Sequence, residues 1–134
     1  MIKAVAHVCY VVSDLEVSIE FYEEKLGMGH AFDFRNAEGE RTGAYIRVGG
    51  RSFLELFGGK LGARAEGQQS YGHLCLEVDD VAATVAELRG KGLEVTDAVL
   101  GGDQAWQAWL SDPDGNRIEL HGYTPESWQA PFVD

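Results

Sequence analysis

His7 and His73 each stand two residues before a cysteine inside an apolar run, in AHVCYVV and YGHLCLEV, and Glu55 and Glu119 sit in the matching stretches FLEL and RIEL. His7, Cys9, Val12, Asp14 and Leu15 correspond to His73, Cys75, Val78, Asp80 and Val81 at a constant offset of 66 residues, and Glu55 corresponds to Glu119 at an offset of 64. Alternate residues of a strand share a face. Glu55 is therefore set with Phe53 and Phe57, opposite Leu54 and Leu56, and Glu119 with Arg117 and His121, opposite Ile118 and Leu120. By the same parity His7 parts from Val8, Tyr10 and Val12, and His73 from Leu74, Leu76 and Val78. Each half thus offers one imidazole and one carboxylate on the sheet face turned from its helix. Two nitrogen and two carboxylate donors suit a divalent ion of intermediate softness, Ni, Co, Zn, Mn or Fe(II). Four such ligands leave two positions of an octahedron for water or substrate.

The elements that must position these groups also come in two sets. Residues 4–12 read as a strand. Ser13 with Glu16 has the capping-box spacing for a helix running to about Leu26, with an apolar stripe of Leu15, Ile19, Tyr22 and Leu26 and with Gly27 at its end. Extended runs follow near 30–35, 42–48 and 52–57. A Gly-rich connector spans 58–70, and the order then restarts with a strand at 72–78 and a helix from about Asp80 to Arg89. Extended runs at 93–99, 105–111 and 116–122 complete it, the last two joined by the tight-turn sequence DPDG. The expected class is α+β, built as two βαβββ repeats, about 2–58 and 71–122, in one domain of 134 residues with a C-terminal tail. That tail, YTPESWQAPFVD, reads as a strap over its own or a neighbouring subunit.

Composition bounds the partners. The net charge of −11, from 22 acidic and 11 basic side chains, repels phosphate backbones and argues against nucleic acid. No apolar run approaches the roughly 20 residues of a membrane span. The start, with Lys3 as its basic residue, runs straight into a strand pattern instead of a secretory signal, so a cytoplasmic chain with reduced cysteines is expected. Arg35, Arg41, Arg47 and Arg51 crowd one stretch, where charge on strand edges is the plain reading. Arg47 is also a candidate for contact with a small-molecule substrate, as are Trp106 and His121. Trp106 and Trp109 fall on opposite faces of one strand, so at most one of them faces the site. His121 shares the face of Glu119 and suits its rim, and Cys9 and Cys75 are expected as small packing groups beside the ligands.

The stretches HVCYVVSDLEVSIEFYEEKLGM, RSFLELF, GHLCLEVDD and DPDGNRIEL resemble the vicinal oxygen chelate, or glyoxalase/bleomycin-resistance/dioxygenase, superfamily from Ile2 to Gly122. The resemblance implies paired βαβββ modules, each curling into a half-barrel with a divalent metal in the cavity between them. It also implies a homodimer, often with each site built across the subunit interface. The ligand order His7, Glu55, His73, Glu119 looks like glyoxalase I, the lactoylglutathione lyase. That likeness implies a lyase or isomerase acting on a small oxygenated substrate by proton transfer through a metal-stabilised enediolate. Glu119 is the first choice as base and Glu55 its counterpart. Members that transfer thiols to fosfomycin or open rings with oxygen need a His, His, Glu trio without Glu55, and non-catalytic members bind drugs or metabolites without the metal set. Enzymes specific for the glutathione hemithioacetal usually carry an Arg four residues after the first His and an Asn shortly after the first Glu. Here Val11 and the Gly58-Gly59 pair stand in those places, so recognition of glutathione is not carried over.

Overall fold

The structure, a computed structural model, describes residues 1–63 and 70–133. Of the expected connector, residues 64–69 lie outside the described residues. The chain divides into two compact units, Met1–Glu66 and Gly67–Asp134.

Unit 1 runs β1 (His7–Val12), α1 (Leu15–Ile19), β2 (Gly29–Arg35), β3 (Arg41–Gly49) and β4 (Ser52–Gly58). Its sheet is ordered β1-β4-β3-β2, with β1 parallel to β4 and the other pairs antiparallel. Unit 2 repeats the plan with β5 (Leu74–Glu77), α2 (Val81–Gly90), β6 (Val99–Leu100), β7 (Trp106–Ser111) and β8 (Arg117–Gly122), in the order β5-β8-β7-β6. The α+β class and both βαβββ repeats are therefore present. Cys9 faces Glu55 across β1 and β4, and Cys75 faces Glu119 across β5 and β8. The sequence repeat is a repeat of strand register.

One face of each sheet is closed by its helix. Tyr10, Val12, Ile46, Leu54 and Leu56 are buried in unit 1 together with Ile19, Phe21 and Tyr22. In unit 2 Val81, Val85 and Leu88 of α2 are buried along with Ala108, Leu110, Ile118 and Leu120. Each large apolar side chain so buried contributes about 1.5–3 kcal/mol.

Four local expectations need correction. The first helix is capped by Asp14, not by a Ser13 capping box: the Asp14 carboxylate accepts from the Val17 amide at 3.1 Å. Asp80 does the same for Ala83 at 2.9 Å in the second helix. A carboxylate there satisfies an orphan amide and also meets the positive end of the helix dipole. The stripe drawn from Leu15 to Leu26 is altered because α1 gives way to a π-helical stretch, Glu20–Lys25, in which the Leu26 amide donates to the Phe21 carbonyl at 3.0 Å. Ser18 and Ile19 of α1 and Phe21 and Tyr22 of the π-helical stretch are the residues buried. Gly27, with φ 74°, ends the helix as expected.

The run expected at 93–99 is a strand only at Val99–Leu100. Upstream, the Thr96 hydroxyl accepts from the Trp109 amide at 2.8 Å, while the Thr96 amide donates to the Trp109 carbonyl at 2.9 Å. A side chain thus replaces the ladder carbonyl and interrupts the strand. The strands expected at 4–12 and 72–78 are shorter, beginning at His7 and Leu74, which leaves His73 immediately before β5.

The DPDG turn has the expected tightness. Asp112 accepts through Oδ1 from the amides of Asp114 and Asn116, and Gly115 takes φ 79°. No helix among the described residues is long and apolar enough to cross a membrane.

Candidate metal centre

On the open face of unit 1, His7 and Glu55 approach with Nε2 3.8 Å from Oε1. The two residues come from the parallel neighbours β1 and β4. Behind the imidazole, Nδ1 lies 3.2 Å from the Tyr45 hydroxyl. Tyr45 belongs to β3, directly opposite Glu55, and is stacked between Phe32 and Phe53 with centroids 4.8 Å away on each side. Phe34 and Phe57 extend the aromatic wall. The His7 side chain is 40% exposed and that of Glu55 19%, so both donors remain open to a ligand.

Unit 2 presents the corresponding pair at closer range. His73 Nε2 lies 3.0 Å from Glu119 Oε2, and the other carboxylate oxygen, Oε1, is 3.0 Å from His121 Nδ1. Glu119 and His121 are buried, whereas His73 is exposed. The His73 ring meets Trp109 edge-on, with centroids 4.9 Å apart. Ligand atoms of Cys75, Glu119 and His121 lie within 4.8 Å of one another. Partial burial, followed by the Glu119 carboxylate, pushes the Cys75 thiol up to about 12. Burial and Glu55 likewise raise that of Cys9. Both cysteines are free. Each stands beside the carboxylate of its own unit, Cys9 opposite Glu55 and Cys75 opposite Glu119 in register.

These donors fit a divalent cation. Neighbouring ligands on bonds of about 2.1 Å lie about 3.0 Å apart in an octahedral arrangement and about 3.4 Å apart in a tetrahedral one. The 3.0 Å pair of unit 2 has the octahedral separation, whereas the 3.8 Å pair of unit 1 is wider than either. For His7 to offer the Nε2 lone pair, Nδ1 must carry the proton and donate it to Tyr45, the arrangement that outer partners of metal-bound histidines normally impose.

Residues 4–120 match the family described as the Glyoxalase/Bleomycin resistance protein/Dioxygenase superfamily. The chain belongs to this superfamily. It is 34% identical over 121 residues to a probable lactoylglutathione lyase of Vibrio cholerae, covering 87% of this chain and 88% of that one. It is 30% identical over 130 residues to the metallothiol transferase FosB of Staphylococcus epidermidis, covering 90% and 82%. The solved structure of a glyoxalase family protein from Enterococcus faecalis is similar at a TM-score of 0.75 and 26% identity, covering 89% of this chain and 97% of that one.

Within this superfamily fold, the expected substrate contacts separate by face. Arg47 is on the open face of unit 1, exposed, with its guanidinium 5.5 Å from the Phe53 ring centroid. His121 is on the open face of unit 2, but buried against Glu119 instead of standing at a rim. Trp106 is placed on the other side: it faces Gly122 in register and lines a hollow with Asp79, Asp80 and Val81 at the start of α2. The tryptophan on the face of Glu119 is Trp109, its register partner. Strand parity separates the two, and only the side occupied by α2 says which is which. Tyr45 was not singled out in the sequence. Its odd-numbered parity with Arg47 and Gly43, opposite Ala44 and Ile46, was the available signal.

Proposed function

We propose that the protein is a metal-dependent lyase or isomerase of the glyoxalase I type, acting on a small oxygenated substrate, hemithioacetals included, by moving a proton between adjacent carbons. The observation that carries this reading is the repeated His–Glu pair, His7 with Glu55 and His73 with Glu119, each on the sheet face turned from the helix of its own unit. The similarity to a probable lactoylglutathione lyase supports it. In this reading the four side chains share one cation, within a chain or across a homodimer. When bound, the cation supplies Lewis acidity that stabilises negative charge developing on two vicinal substrate oxygens.

The chain's own residues do the rest. Glu119 takes the proton from the first carbon and returns it to the second, with Glu55 as its counterpart on the opposite side. His121, bonded to Oε1 of Glu119 through Nδ1, orients that carboxylate so that Oε2 is the oxygen left for His73 and the reacting centre. The aromatic residues Phe32, Phe34, Tyr45, Phe53 and Phe57 give the open face of unit 1 the apolar surface that excludes water from a carbanion-like centre.

Elemental analysis of protein purified from its own host, followed by assay of hemithioacetals and α-hydroxycarbonyl compounds for metal-dependent proton exchange, tests the reading. Glu119→Gln should reduce exchange by about 10²- to 10⁴-fold while the fold is kept. Full exchange in a metal-loaded Glu119→Gln protein rejects Glu119 as the base. The similarity to a metallothiol transferase favours a second reading, thiol transfer with His7, His73 and Glu119 alone. Glu55→Gln separates the two: lyase chemistry loses Glu55 as a ligand and falls, whereas thiol transfer survives.

A further inference from the structure

Unit 2 carries a cavity of about 660 Å³ beside β7, lined by Leu93, Glu94, Thr96, Trp109, Ser111 and Arg117 among others. Arg35, Arg41 and Arg89 are each matched to a carboxylate, but no ion pair among the described residues uses Arg117, which is exposed. Its guanidinium lies over the Trp109 ring instead, 4.3 Å from the centroid. Arg117 faces Ser111 in register, whereas Trp109 faces Glu119. The stack therefore draws the cation diagonally from its own row toward the row of Glu119. The Trp109 ring also meets His73, so one indole lines the cavity and touches the histidine of the His73–Glu119 pair. A guanidinium laid on an aromatic ring spends its face and leaves its N–H fork for a planar anion.

We propose that this cavity receives a carboxylate carried by the substrate, with Arg117 binding it and Trp109 covering the apolar atoms between it and the reacting carbons. The inference rests on the reading above in taking Glu119 as the group beside those carbons. A chain of net charge −11 repels anions at long range, so an uncommitted cation next to Glu119 marks selection of one negative group at close range. Glu94, exposed on the same lining, opposes a second negative charge, so the fit is to a monoanion. Residues two apart on a strand are about 6.6 Å apart, and the diagonal lean shortens that reach. The carboxylate thus belongs a few bonds from the carbon that loses its proton, as in adducts of short mercapto acids.

The test uses the full chain with its metal and two matched pairs of probes. For binding, 3-(methylthio)propionate and its uncharged amide are titrated while the Trp109 indole N–H resonance is followed in nitrogen-15-labelled protein. The acid should move that resonance, and Arg117→Gln should weaken its binding about tenfold or more. Arg117→Lys, which keeps the charge without the flat fork, should lose less, and the amide should bind all three proteins alike. For turnover, the phenylglyoxal hemithioacetals of 3-mercaptopropionate and of its amide are compared. The acid adduct should have about tenfold higher kcat/KM, an advantage that Arg117→Gln removes. Equal binding of acid and amide, or unchanged acid binding in a natively folded Arg117→Gln protein, overturns the pocket. Selective acid binding without turnover of either adduct upholds the pocket and removes the lyase reading. Equal binding of acid and amide with equal turnover of both adducts does the reverse.

Discussion

The Tyr45 hydroxyl sits 3.2 Å from Nδ1 of His7, on the far side of the imidazole from Glu55. Phe32 and Phe53 clamp the phenol from both faces, so its oxygen is held in place by packing. Removing the hydroxyl frees the imidazole to rotate and to change tautomer. Tyr45→Phe should therefore weaken metal binding about 10- to 100-fold, measured by titration calorimetry on the stripped protein, with little change in thermal stability. Unaltered affinity would show that the phenol does not orient His7.

Cys75 faces Glu119, and its thiol is pushed up to about 12. At pH 8 that leaves about a thousandfold less thiolate than an ordinary thiol, offset in part by greater intrinsic nucleophilicity. In metal-free protein iodoacetamide should modify Cys75 roughly 40-fold more slowly than an unperturbed thiol. Glu119→Gln removes the nearest negative charge and should speed the reaction. Site-resolved mass spectrometry at a series of times gives both rates, and a Cys75 as fast as glutathione would contradict the placement.

Asp80 caps α2 by accepting from the Ala83 amide at 2.9 Å. Asp80→Ala leaves that amide without its partner and should cost about 1 kcal/mol. For a chain of this length the expected fall in Tm is about 3–5 °C by calorimetry. Ser13→Ala, one residue before the cap of the first helix, should cost less than Asp14→Ala, because Asp14 supplies the capping oxygen.

The tail is tied to the β6–β7 loop through Asp103. Its carboxylate accepts from Gln129 Nε2 at 2.7 Å and its carbonyl from the Trp128 amide at 2.9 Å. The Gln129 bond, then the Ala105 amide, hold the Asp103 carboxyl below the usual range. A lowered folded value means that the contact stabilises the protein above the ordinary carboxyl range and loses that effect as the pH falls through the lowered value. Hydrogen exchange should show the Trp128 amide losing protection on acidification below about pH 4 before the core strands do. Asp103→Asn should remove most of this pH dependence.

Particular residues show how far the sequence could be read. The equal spacing of His7, Cys9 and Asp14 with His73, Cys75 and Asp80 anticipated two βαβββ units, and strand alternation put Glu55 and Glu119 on the faces opposite the buried leucines. The same spacing held the correct caps, since Asp14 and Asp80 repeat while Ser13 has Asp79 as its counterpart. Less was legible where local chemistry competes with periodicity. The π-helical stretch from Glu20 to Lys25 set which residues are buried after α1, and the Thr96 hydroxyl shortened β6 by taking a ladder position.

Duplication, alternation and residue type by themselves determined the class of fold, the strand faces and the identity of the four candidate ligands, because these depend on spacing along one chain. Only the tertiary structure decided that Tyr45 stands behind His7, that Trp109 and not Trp106 borders His73, and that Arg117 leans over that indole. Those relations depend on the register between strands far apart in sequence and on which sheet face the helix covers. Packing across the sheet sets both, and no single segment encodes them.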